Sequence, residues 1–168
     1  MDIPEKLYEE NFARVYAFIY RLCGDRLLAE DLAQETFYQA YISFHKFKGK
    51  SEVYTWLASI AKHLYLKYLR RRKMTLEVAD IDLVVDTFCS NEETPQEKLE
   101  RSDVEEAVRR TIRKIPDKYR DVVMLRIYAD MTFSQVAQVL NISENSAKVI
   151  YCRAKKMLAE ELKNEFEL

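Results

Sequence analysis

The sequence predicts an all-α protein: two small helical domains joined by an acidic linker, the C-terminal one carrying a helix-turn-helix. Three observations lead there. Only 2 of 168 residues are Gly and 3 are Pro, too few for the tight turns of a β-sandwich or for a Gly-rich phosphate loop. Apolar residues recur at spacings of three and four through most of the chain. Two capping boxes, Thr94-Pro95-Gln96-Glu97 and Thr132-Phe133-Ser134-Gln135, mark helix starts in the second half. Hydrophobic residues at 48% supply a core, and charged residues at 33% exclude a chain made for the bilayer interior.

Taken in order, Pro4 suits the start of a first helix, with Leu7, Tyr8, Phe12, Val15, Tyr16, Ile19 and Leu22 on one side and a stop near Gly24. Asp25 caps a second helix, on which Leu28, Leu32, Phe37, Ala40 and Tyr41 face inward while Glu30, Asp31, Gln34 and Glu35 lie mostly on other faces. A break at Phe47-Lys48-Gly49-Lys50 comes next. Ser51 then caps a long helix carrying Trp56, Leu57, Ile60, Ala61, Leu64 and Tyr68, which ends in the run Arg70-Arg71-Arg72-Lys73. These helices make a first domain over residues 1–73.

Over residues 74–94 the periodicity fades and acidic residues accumulate, the pattern of a linker. The second domain, residues 95–168, opens at the first capping box with a helix to about Ile115. It restarts at Pro116-Asp117 with Val122, Val123, Leu125 and Ile127, and continues through the second capping box. Ser143 caps a last helix reaching about Leu162. Within this domain, Ala137, Asn141 and the set Val136, Leu140, Ile142 and Ala147 meet the needs of two short helices crossing at a tight turn: a small residue, a residue tolerant of left-handed geometry, and an apolar inner face. The second of those helices then presents Glu144, Asn145, Ser146, Lys148, Val149 and Cys152, side chains able to reach base edges in a major groove, with Arg153, Lys155 and Lys156 beside phosphates. An ordinary αα-hairpin shares this pattern.

Charge separates what the pattern leaves open. Net charge is −1, yet it divides into blocks: −4 over residues 1–44, +8 over 45–76, −8 over 77–105 and +3 over 106–168. Blocks of this kind point to a surface that meets a polyanion. The stretch around the +8 block interleaves bases with aromatics, Phe44, His45, Lys46, Phe47, Lys48, Lys50, Tyr54 and Trp56, then Lys62, His63, Lys67 and Tyr68. Stacking platforms flanked by cations are what a single nucleic-acid strand requires. Trp56 and Tyr68 as plain core residues is the competing reading, which leaves the one-sided charge unexplained.

The three cysteines, Cys23, Cys89 and Cys152, form no close pair and no metal-ligand spacing exists, so neither a metal nor a cofactor is expected, and Cys89 and Cys152 are expected to be buried as small hydrophobes. The acidic N-terminus has no basic start or apolar stretch of a signal peptide, and the expected location is the cytoplasm. His45 and His63 have no nucleophile or carboxylate constellation beside them, which argues against an enzyme.

Three segments carry a resemblance to a known family: AEDLAQETFYQAY (residues 29–41), FHKFKGKSEVYTWLASIAKHLYLKYLRRRK (44–73) and IPDKYRDVVMLRIYADMTFSQVAQVLNISENSAKVIYCRAKKML (115–158). Together they resemble the bacterial RNA polymerase sigma factors of the small extracytoplasmic-function (ECF) group of the sigma-70 family. The resemblance implies an alternative sigma factor that binds core RNA polymerase, through its beta and beta-prime subunits, and directs promoter-specific initiation without catalysis. It implies that Asp31, Gln34, Glu35 and Phe37 dock on the polymerase, and that the loop Phe47 to Ser51, with Lys48, Lys50, Tyr54 and Trp56, captures an unstacked base of the minus-ten element. Lys62, His63 and Lys67 would face that DNA. Thr132, Asn145, Ser146, Lys148, Val149 and Arg153 would belong to the reader of the minus-thirty-five element. An anti-sigma factor, often membrane-anchored, is the further partner it implies. The chain departs from the family's usual pattern at His63, where Asn is common, and at Asn145 to Ile150, where Gly-Thr-Val-Lys-Ser-Arg often stands. The remaining alternative is a stand-alone helix-turn-helix regulator whose first domain senses or dimerises.

Overall fold

The structure is a computed structural model that describes the backbone of residues 3–78 and 95–166, and the side chains of residues 5–75 and 103–166. Every regular element among them is helical, and the chain divides into two compact units near residue 89.

In the first unit, α1 (Ile3–Cys23), α2 (Arg26–Ser43) and α3 (Val53–Val78) pack pairwise against one another. Gly24 ends α1 at φ 70°, a left-handed position that favours glycine. Asp25 caps α2 as expected, its carboxylate accepting the Leu28 N–H at 3.1 Å. The core is Leu7, Val15, Phe18, Ile19 and Leu22 of α1, Ala29, Leu32, Ala33, Phe37 and Ala40 of α2, and Tyr54, Leu57, Ala58, Ala61 and Tyr65 of α3. Small residues on α2 let the helices approach closely, and the Tyr65 hydroxyl donates to the Leu22 carbonyl at 3.0 Å, pinning the middle of α3 to the end of α1.

Three expectations for this unit are corrected. Tyr41 is 63% exposed rather than inward, because at the end of α2 it stands on the lip of a cleft lined by Leu7, Tyr8, Phe37 and Phe44. The long helix begins at Val53, not directly after Ser51, and the Glu52 carbonyl takes its first bond from the Trp56 N–H. It also runs through the basic cluster to Val78 instead of ending at Lys73. Arg70 to Lys73 are good helix formers, and all four are exposed there. The linker expected over 74–94 therefore starts inside α3, and its remainder, with Cys89 and Thr94, lies outside the described residues.

In the second unit, α4 (Pro95–Lys114), α5 (Asp117–Val123), α6 (Phe133–Leu140) and α7 (Glu144–Phe166) enclose Ala107, Ile112, Val122, Val123, Leu125, Met131, Val136, Ala147 and Ala154. Between α5 and α6 the chain widens into one π turn, Met124–Tyr128, closed by Ala129 N–H to the Met124 carbonyl at 3.1 Å. The wider turn rotates the succeeding side chains about the helix axis. Ile127, expected on the apolar side, is exposed, while Met124 and Ala129 are buried. Asp130 then takes φ 54° in the tight connection to α6. The last helix reaches Phe166 rather than Leu162, its extra turn held by Glu165, which accepts from Arg110 at 2.7 Å and Thr111 at 3.3 Å.

Candidate nucleic-acid and polymerase interfaces

The turn of the helix-turn-helix has the geometry its sequence predicts. Thr132 and Gln135 form a reciprocal capping box at the start of α6, with bonds of 3.2 and 2.8 Å. Asn141 closes α6 in the left-handed conformation, φ 53° and ψ 48°, and the Ile142 N–H returns to the Ala137 carbonyl at 3.1 Å. Ser143 caps α7 by accepting the Ser146 N–H at 3.1 Å, and the two hydroxyls lie 2.8 Å apart. Ala147, Ile150 and Ala154 face the core, so Asn145, Ser146, Lys148, Val149, Cys152, Arg153, Lys155 and Lys156 are left in solvent on the other side. Val149 is outward and Ile150 inward, so the residues that depart from the family's usual pattern leave the buried face of the helix in place. Lys148 pairs with Glu144 one turn earlier at 2.7 Å, an exposed contact that a phosphate can displace at little cost.

Thr132 is exposed at the head of α6, its oxygen accepting the cap bond while the hydroxyl can still donate. One expectation for this surface changes. Cys152 is exposed on α7, not buried.

In the first unit, Phe44, Phe47 and Trp56 form a cluster behind the loop, with ring centroids 4.9 Å apart for Phe47 and Trp56 and 6.1 Å for each against Phe44. All three are half-buried, an arrangement that holds the rings against one another while leaving part of each to solvent. Gly49 turns the loop at φ 66° with open space around its α-carbon, so its requirement is conformational and not steric. Lys48 and Lys50 flank it, both exposed. On α3, His63 and Lys67 are exposed, and the ring Nδ1 of His63 lies 2.7 Å from the Ser59 carbonyl. A carbonyl only accepts, so Nδ1 carries the proton and Nε2 is turned outward.

Tyr54 and Lys62 do not share that surface. They are 5% and 4% exposed, since with Ala58 they occupy one i, i+4 row on the face of α3 that packs into the core. The Arg14 guanidinium covers the Tyr54 ring at 3.7 Å, a contact between two helices that sequence spacing gives no sign of. Phe37 faces inward, as its spacing predicts, and so stands behind the docking face rather than on it: it is 8% exposed, lying in line with Ala29 and Ala33 on the buried row of α2, with Tyr8 at 4.9 Å and Phe12 at 5.9 Å. Asp31 and Gln34 are exposed, and Glu35 is half-buried and accepts from Gln39 at 2.7 Å. The polar face of α2 is thus Asp31, Gln34 and Glu35, and Phe37 is the buried anchor behind it.

Comparison with known proteins gives these surfaces a family. Residues 7–75 match sigma-70 region 2 and residues 105–158 match sigma-70 region 4. The ECF RNA polymerase sigma factor SigM of Bacillus subtilis (strain 168) is 30% identical over 154 residues, 92% of this chain and 91% of that protein. The chain belongs to the ECF sigma factors. SigW of the same organism is 27% identical over 157 residues, 90% of this chain and 84% of that one. The fold agrees: a sigma factor RpoE solved with the anti-sigma factor NepR from Bartonella quintana matches at a TM-score of 0.66 and 18% identity, over 95% of this chain and 96% of that one. CnrH, solved with the cytosolic domain of CnrY, matches at 0.62 and 19%, over 96% and 88%. As an ECF sigma factor, the protein is a transcription initiation factor. Among the described residues no helix is long and apolar enough to cross a membrane.

Proposed function

We propose that this sigma factor divides promoter recognition between its two units, residues 1–73 and 95–168, and directs core RNA polymerase to a two-element promoter without catalysing a reaction itself. The observation that carries this is the face of α7. Its core side is Ala147, Ile150 and Ala154, and its outer side offers short polar groups at the N-terminal end, then the cations Arg153, Lys155 and Lys156. That is the order of groups a helix needs to put base-reading side chains into a major groove and cations beside phosphates. Asn145, Ser146, Lys148 and Val149 read the minus-thirty-five element, and Arg153 holds the backbone.

The first unit captures the melted strand. Phe47 and Trp56 offer ring faces to a flipped base of the minus-ten element, and Lys48, Lys50, His63 and Lys67 attract the displaced phosphates. Unstacking costs of the order of a few kcal/mol per step, which stacking and phosphate contacts offset. Asp31, Gln34 and Glu35 dock on the polymerase's largest subunit. The acidic linker, rich in carboxylates between residues 77 and 94, competes as a polyanion for channels that otherwise accept nucleic acid. One similar fold was solved with an anti-sigma factor and another with the cytosolic domain of CnrY, which supports a cytoplasmic protein held inactive by an anti-sigma factor, anchored in the membrane or free.

The test is run-off transcription with purified protein, sigma-free bacterial core polymerase and promoter fragments from the source genome. Start sites that need both proteins, with two upstream elements shared among them, are the expected result. Absence of transcripts together with tight sequence-specific binding by the protein alone would instead establish a stand-alone regulator.

A further inference from the structure

Four side chains from three separate segments of the second unit line up into one stack. Arg126, in the π turn, donates to the Met131 carbonyl at 3.0 Å and lays its guanidinium 5.2 Å from the centre of the Phe133 ring at the start of α6. The Phe133 ring meets Tyr151 of α7 edge to face at 5.5 Å. The Lys155 ammonium, one turn further along α7, sits 5.1 Å from the centre of the Tyr151 ring. Both terminal contacts fall within the range of a cation–π attraction, and the middle one is a favoured aromatic geometry. Met131 is fully buried, so the first member is fixed to the core.

We propose that Tyr151 is a positioning residue for DNA binding: its ring, held by Phe133 and Arg126, presents the Lys155 ammonium to a backbone phosphate. The inference rests on the reading of α7 as the DNA-facing helix and assigns one of its phosphate contacts a cause. A lysine on an exposed helix face otherwise samples many rotamers, and most of that freedom is lost when it meets a phosphate. Resting on a ring, Lys155 has already lost part of it. Its neighbour Lys156 is exposed and meets no aromatic ring among the described residues, and the two should therefore differ in what they contribute. The stack also ties the azimuth of α7 to α6, so the same ring that aims Lys155 sets the depth at which Asn145 and Lys148 enter the groove.

The experiment uses the full chain and a mixed-sequence duplex of about 30 base pairs, adequate because a phosphate contact is independent of sequence, with affinity measured against potassium chloride concentration. Lys155→Ala should lower the slope of log affinity against log salt by about 0.9, the value for one phosphate contact. Tyr151→Met, which refills the space beside Phe133 without offering a ring face, should lose nearly the same increment, and adding Lys155→Ala to it should lose nothing further. Tyr151→Phe should restore wild-type behaviour. Losses that add in the double variant, or a Tyr151→Phe chain that behaves like Tyr151→Met, would overturn the proposal. Should Tyr151→Met fail to fold, the wild-type chain still decides: the Lys155 ε-methylene proton signal should lie upfield of that of Lys156 from the ring current, and equal positions would overturn the stack. Arg153→Ala separates the levels. If it weakens duplex binding while Lys155→Ala does not, only the positioning role falls; if neither changes binding, the DNA-facing reading of α7 falls with it.

Discussion

Tyr65 is joined to Leu22 by one buried hydrogen bond across 43 residues of sequence. Tyr65→Phe keeps the ring and removes that bond, and should cost about 1–2 kcal/mol in chemical denaturation. Asn141 makes the opposite case, a role set by local backbone conformation. Asn141→Gly should leave stability close to wild type, whereas Asn141→Ala should cost about 1 kcal/mol because a β-carbon is disfavoured at φ 53°. At the docking face, Asp31→Ala with Glu35→Ala should weaken core polymerase binding about tenfold with an unchanged melting temperature, since neither side chain lies in the core. Lys148→Ala should lower transcription roughly tenfold from promoters that depend on the distal element, and spare those that do not. Equal losses on both kinds would indicate a folding defect.

Helices decide which of these residues meet solvent, and their periodicity was only partly legible in the sequence. Caps at Asp25, Thr132 and Ser143 and the left-handed Asn141 were readable because each is a local event, set by residues within a helical turn of one another. Tyr54 and Lys62 were readable in principle, from the row they share with Ala58, but their residue types pointed to DNA more strongly than their spacing pointed inward; the spacing of Phe37 did point inward, and only the family resemblance placed it on the docking face. Ile127 was not readable, because a π turn shifts the period without a sequence signal. Arg14 over Tyr54, and the stack from Arg126 to Lys155, join segments that only tertiary packing brings together. The clamp between α4 and the end of α7 belongs to the same class. A hydrogen bond from the Arg110 guanidinium holds the Glu165 carboxyl below the usual carboxylate range. A lowered folded value means the clamp stabilises fully above the ordinary carboxylate range and fades as pH falls through the lowered one. Glu165→Gln should accordingly lower the melting temperature at neutral pH and converge on the wild type at acid pH, so that the acid limb of the stability curve flattens, read from melting temperature against pH.

For the molecule as a whole, a net charge of −1 is the residue of large opposed blocks. The acidic α1 and α2 face solvent with Glu5, Glu9, Glu10, Glu30 and Asp31, while the tail of α3 carries Arg70 to Lys73 into the open. Surfaces of this kind meet partners by attraction that salt screens beyond about 8–10 Å. Binding of the sigma factor to DNA fragments should therefore fall steeply between low and physiological salt. The same segregation has a consequence for the protein in the absence of any partner. An acidic patch on one copy complements a basic patch on the next, and a contact between two different patches does not close on itself but leaves both free ends open to another copy. Solutions near zero net charge at low ionic strength should thus grow turbid, with light scattering rising with protein concentration, and clear on addition of simple salt: the solubility of this molecule is set by the distribution of its charge and hardly at all by the total.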